Sequence, residues 1–196
     1  MKRTHGNKAL VLRNLALALL LTAATHAGAQ GIKSQRSYTD GTKVITTDEV
    51  RFGKAGGVFS RTCHLGMSHI TFGEDGSTTF AILLPLNTPE RLTIPVGNRL
   101  TLLLSTGEEL TLLNVRNISR GDNHVEFDRT YTVRPEFAVT DEELRKLEML
   151  RVTGLRVETD SRLIEILCKD YPRKWEFNKM LQRCHDVLRW KLAEKK

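Results

Sequence analysis

The sequence predicts an α+β domain, a mostly antiparallel sheet of seven or eight strands with a short helix and a C-terminal amphipathic helix packed on it. Three observations carry this expectation. Apolar and polar residues alternate through several runs between residues 67 and 133 and again between 155 and 168, which is the period of half-buried strands. The run Thr140-Asp141-Glu142-Glu143 has the spacing of a capping box that opens a short helix to about Leu150. Beyond Pro172, residues Phe177, Met180, Leu181, Cys184 and Leu188 recur at helical spacing.

The chain opens on a basic stretch with Lys2, Arg3, Lys8 and Arg13, an apolar run from Leu15 to Ala24, and the small residues Ala27-Gly28-Ala29. These three zones predict a secretory signal peptide over residues 1–29, cleaved after Ala29. The apolar run of ten residues is too short to span a bilayer, which takes about 20 as a helix. Removing 29 of the 196 residues leaves 167. Residues 30–40 are polar and without period, and predict a flexible segment ahead of one globular domain over 41–196.

Within that domain Ile70 and Phe72 share one side of Met67 to Phe72, and Phe80, Ile82, Leu84 and Leu86 share one side of Thr78 to Leu86. The intervening Gly73-Glu74-Asp75-Gly76 makes the pair a hairpin. Arg99 to Leu104 and Glu109 to Val115 flank Gly107 as a second hairpin, with Leu100, Leu102 and Leu104 inward. His124 to Val133 alternates with Val125, Phe127, Tyr131 and Val133 inward. After Gly154 the runs ending at Thr159 and beginning at Ile164 turn through Asp160-Ser161 as a third hairpin.

The run Tyr131 to Val139, the segment T-D-E-E-L-R-K-L at 140–147, T-G-L-R-V-E-T at 153–159 and the closing basic helix resemble small exported β-rich bacterial proteins of unassigned activity. The resemblance covers the C-terminal third. It implies a bacterial cell-envelope setting and assigns no catalytic residue.

Composition narrows the function classes. A hydrophobic fraction of 40% with 27% charged residues excludes an ordinary disordered chain, and three cysteines exclude a disulfide-dense scaffold. The formal charge of +7 is unevenly placed. The first 29 residues hold four basic and no acidic residues, residues 30–172 hold 18 against 20, and residues 173–196 hold eight against three. A near-neutral body argues against a nucleic-acid partner, whereas the terminal helix has the charge to meet an anionic surface peripherally.

H-E-x-x-H, G-x-S-x-G, S-x-x-K and G-x-x-x-x-G-K do not occur. His124, Glu126 and Asp128 point to one side of their strand and form the candidate metal ligands, with no fourth donor identifiable. Export would allow one disulfide among Cys63, Cys168 and Cys184, and Cys63 with Cys184 is the pair expected if a bridge forms. The competing expectation is three buried thiols acting as small hydrophobes. The sequence therefore predicts an exported, non-catalytic module, periplasmic or secreted, that binds a protein or envelope component and needs no cofactor. The alternative is a metal-dependent enzyme or metal-binding protein using His124 and Glu126.

Overall fold

The computed structural model describes residues 31–54, 62–88, 91–116, 131–168 and 176–194, and the signal-peptide expectation over 1–29 lies outside them. Twelve strands run in order among the described residues: β1 (Ile32–Ser37), β2 (Lys43–Thr47), β3 (Val50–Lys54), β4 (Thr62–Thr71), β5 (Thr78–Leu83), β6 (Leu86–Thr88), β7 (Arg99–Leu104), β8 (Glu109–Leu113), β9 (Tyr131–Val133), β10 (Glu136–Val139), β11 (Val152–Glu158) and β12 (Leu163–Leu167). Two helices join them, α1 (Asp141–Met149) and α2 (Phe177–Ala193). The α+β class is as expected. The strands divide into three antiparallel sheets in place of the single sheet of seven or eight.

The first sheet has the order β1-β2-β4-β5-β10, and β3 also pairs with β4. The ten-residue β4 takes two partners along one edge: β3 along Thr62–Leu65 and β2 along Ser68–Thr71. The second sheet has the order β12-β11-β7-β8, and β6 with β9 makes the third. Residues 32–37, expected as flexible chain, are instead an edge strand paired with β2. Backbone hydrogen bonds hold that strand, and its outward side chains need no apolar period. Gly31 to Lys196 form one compact unit.

The predicted helices stand where their patterns put them. Thr140 Oγ1 accepts from the Glu143 N–H at 3.2 Å while Glu143 Oε2 accepts from the Thr140 N–H at 2.8 Å, so both halves of the capping box are made. Phe177, Met180, Leu181, Cys184 and Leu188 are buried, and α2 packs across β4, β2 and β3 and against α1. No helix among the described residues is long and apolar enough to cross a membrane.

Alternation gives the first sheet two distinct faces. Ile45, Met67, Ile82, Phe137 and Val139 point toward α2 and join the main core with Leu100, Leu102, Leu155 and Val157 of the second sheet. Val44, Ile70 and Ala81 point the other way and form a small cluster with Tyr38, Phe72 and Val115. Ile70 and Phe72 thus share a side as expected, but it is the side opposite Phe80 and Ile82, because β4 is buried on both faces.

Candidate functional site

The second face of the first sheet carries polar residues that are more deeply buried than their chemistry favours unless they are paired. Ser68 is fully buried and donates its hydroxyl to Glu136 Oε1 at 2.6 Å, and Thr46 Oγ1 lies 3.3 Å from the same hydroxyl. Glu136 is 4% exposed, and its Oε2 accepts from Arg116 Nη1 at 2.8 Å. Asn114 fixes this arrangement from behind. Its Nδ2 donates to the carbonyls of Ile94 at 2.7 Å and Arg116 at 2.8 Å, and its Oδ1 accepts from the Glu136 N–H at 3.2 Å.

The Arg116 guanidinium also stacks over the Tyr38 ring, 4.3 Å from its centroid. Burial works against the charge on Arg116, but the Glu136 carboxylate and Tyr38 outweigh it and raise the group above the usual arginine range. Arg116 is therefore a buried-side cation whose charge is already met.

Beside it opens a cavity of about 450 Å³, within the range of small-ligand sites. Tyr38, Phe72 and Val115 supply apolar wall, and Asp40, Glu74 and Asp75 stand exposed around it. Two carboxylates are anchored by the chain: Asp40 Oδ1 accepts from the Thr42 N–H at 2.9 Å, and Asp75 Oδ1 from the Ser77 N–H at 2.8 Å. The Ser77 side-chain and backbone hydrogen bonds hold the Asp75 carboxyl below the ordinary aspartate range, so it is ionised at neutral pH. With Arg116 neutralised by Glu136, three carboxylates leave the cavity negative. Among the described residues, its lining holds no histidine, cysteine or lysine.

Two turns meet to shape this cavity. Gly41 bends the β1–β2 turn with φ of 82°, and Gly73 lies against it so closely that a Cβ would stand 2.0 Å from the Asp40 carbonyl oxygen and 2.6 Å from the Gly41 carbonyl carbon. Because both obstacles are backbone, Gly73→Ala must part the turns. The expected cost is about 1–3 kcal/mol in thermal unfolding, the range for overpacking, and an unchanged Tm would contradict the contact.

On the opposite face a second cavity of about 380 Å³ lies against α1, α2 and Phe80. His69 and His185 flank the Phe80 ring edge-on, with centroids 5.3 and 5.0 Å away. His185 lines this cavity. His64 sits in the β3–β4 pairing, opposite Arg51.

The metal candidates His124, Glu126 and Asp128 lie outside the described residues. Among the described residues, no three histidine, cysteine, aspartate or glutamate side chains gather as metal ligands. The pairing expected of Cys63 with Cys184 is not made: both are buried thiols within the main core, where they pack as small apolar groups. Cys168 is pushed up to about 12 by burial and by the nearby Cys63, so it carries no thiolate at neutral pH.

Of the eight basic residues in 173–196, Arg173, Lys174, Lys195 and Lys196 lie outside the described residues. Lys179 pairs with Glu176 at 3.4 Å and Lys191 with Glu194 at 2.9 Å, which leaves Arg183 and Arg189.

Sequence reasoning missed the Arg116–Glu136–Ser68 network. One local signal existed: Glu136 begins a strand whose other residues, Phe137, Ala138 and Val139, are all apolar. The chain matches no family model, and no curated protein and no solved structure is similar to it.

Proposed function

We propose that the chain is an exported, non-catalytic binding module, and that its ligand is a peptide segment of an envelope or secreted partner presenting lysine or arginine side chains to the Tyr38–Phe72 cavity. The observation that carries this reading is the charge balance of that cavity. Three exposed carboxylates surround apolar walls beside an arginine whose charge Glu136 already meets. Such a site attracts a cation and offers its aliphatic stem aromatic contact. The non-catalytic half rests on the sequence, in which H-E-x-x-H, G-x-S-x-G and S-x-x-K do not occur. The export half rests on the basic, apolar and small-residue zones of residues 1–29.

Both halves are open to one preparation. The full chain, expressed in a bacterial host, should leave the cytoplasm with a mature mass beginning at Gln30; retention of residues 1–29 on a cytoplasmic product would contradict export. Titrated with a blocked trilysine peptide, the exported protein should show saturable NMR shifts at Tyr38, Gly73 and Asp75. Shifts confined to other regions, or none, would contradict the cavity assignment.

A further inference from the structure

A strand at the end of a sheet carries unpaired backbone donors and acceptors, and templates a further strand unless the chain blocks it with a bulge, a lysine, a proline or a cover. The described sheet ends are blocked unequally. β1 ends the first sheet with a register shift between Ile32 and Ser34 and with Lys33 and Arg36 along its length. β8 ends the second sheet, but Asn114 just beyond it bridges to Phe137 of β10. At the other end of that sheet, β12 keeps an unbroken register with β11 and holds no lysine or proline. Among the described residues no strand lies on its outer side.

The β11–β12 ladder fixes which backbone groups of β12 face outward. The Cys168 N–H donates to the Thr153 carbonyl and the Thr159 N–H to the Arg162 carbonyl, so residues 162, 164, 166 and 168 are the ones that bond to β11. The N–H and C=O groups of Leu163, Glu165 and Leu167 therefore point away from it. The same three residues carry the exposed side chains, with Leu163 55% and Leu167 45% exposed, while Ile164 and Ile166 are buried. The strand Leu163-Ile164-Glu165-Ile166-Leu167 reads the same in both directions. Turned about a two-fold axis at Glu165, it sets Leu163 against Leu167 and Ile164 against Ile166. That antiparallel register is also the one that engages the outward groups of all three residues in both copies.

We infer that a second copy of this chain pairs its β12 with this one, antiparallel about a two-fold axis at Glu165, so that the two four-stranded sheets run on as one. The contact uses the same patch on both copies and closes at two. Its exposed leucines cover one another on either side of the axis, which is what an apolar edge without a block requires. At the axis Glu165 faces its own copy, and Arg156, whose Nε lies 3.1 Å from Glu165 Oε1, supplies a cation on each side. Facing like charges make this row the weakest of the pairing. A single five-residue strand gives a small interface, so the dimer is weak and reversible.

Sedimentation equilibrium of the purified protein over a concentration series should fit a reversible monomer–dimer equilibrium. Leu163→Lys/Leu167→Lys sets lysine against lysine on both sides of the axis and should raise the dissociation constant by about tenfold or more. Glu165→Gln removes the facing carboxylates and should lower it by about threefold, a change of sign that marks the position of the axis. Leu113→Lys, at a comparably exposed leucine on the far edge of the same sheet, should leave it unchanged. All these side chains are exposed, so the variants should unfold at nearly the wild-type temperature; if the double variant does not fold, Glu165→Gln and Leu113→Lys still decide. A monomer at every concentration, a dimer that the paired lysines leave intact, one that Glu165→Gln weakens, or one that Leu113→Lys disrupts as strongly would each overturn the pairing.

Discussion

Glu136→Ala is expected to lower the unfolding free energy by about 3 kcal/mol, the lower end of the range for breaking a buried ion pair. The carboxylate is 4% exposed and takes hydrogen bonds from Ser68 at 2.6 Å and Arg116 at 2.8 Å. Removing it leaves the Ser68 hydroxyl without its carboxylate acceptor in a fully buried position. It also leaves the Arg116 guanidinium against Tyr38 with no counter-charge. The lower end applies because the Arg116 side chain keeps 23% of its exposure and recovers some solvation. Urea denaturation measures the loss directly. The companion Arg116→Met/Glu136→Leu should recover most of it, since no charge then remains to be desolvated. A loss below about 1 kcal/mol for Glu136→Ala would mean that the pair contributes no more than a surface contact.

The second large effect concerns how α2 is held on the sheet. Phe177→Ala should cost about 3–5 kcal/mol, the range for truncating a buried aromatic side chain. Phe177 is 3% exposed, and its ring meets that of Phe52 edge-on at 5.1 Å. It is the first residue of α2, and Glu176 before it makes no side-chain capping hydrogen bond. The helix start is therefore fixed by apolar packing where α1 is fixed by a capping box. The variant should show faster amide exchange over the first turn of α2 than over its last, together with the loss of stability. Full stability with unchanged exchange would contradict this.

Local patterns were legible and distant convergence was not. Both reciprocal bonds of the Thr140–Glu143 box, the turns at Gly76 and Gly107, and the buried stripe of α2 follow from residues within a turn or two of one another. The first two strands were hidden for a physical reason. β1 is an edge strand held by backbone pairing, and β2 is buried on both faces, with Val44, Ile45, Thr46 and Thr47 all inside, so neither shows an alternating apolar period. Two-sided burial of β4 likewise sends Met67 and Ile70 to different cores.

The candidate cavities have no sequence spacing at all. The acidic one draws on the β1–β2 turn, the β4–β5 turn and Arg116, and its supporting carboxylate comes from β10, 68 residues beyond Ser68. Nothing within any one of these segments separates a ligand-facing carboxylate from a solvated one. His185 of α2 meets the Phe80 ring of β5, a contact that no local spacing announces.

The central claim, a cation site built from carboxylates at the Tyr38–Phe72 cavity, is tested most directly by calorimetric titration of blocked trilysine into the wild type and into Asp40→Asn/Asp75→Asn. The exchanged amides can still accept from the Thr42 and Ser77 N–H groups, so the turns keep their shape while two charges are lost. Affinity should fall by about tenfold, and the wild-type affinity should weaken as salt rises. Equal affinity in both proteins, independent of salt, would contradict the account.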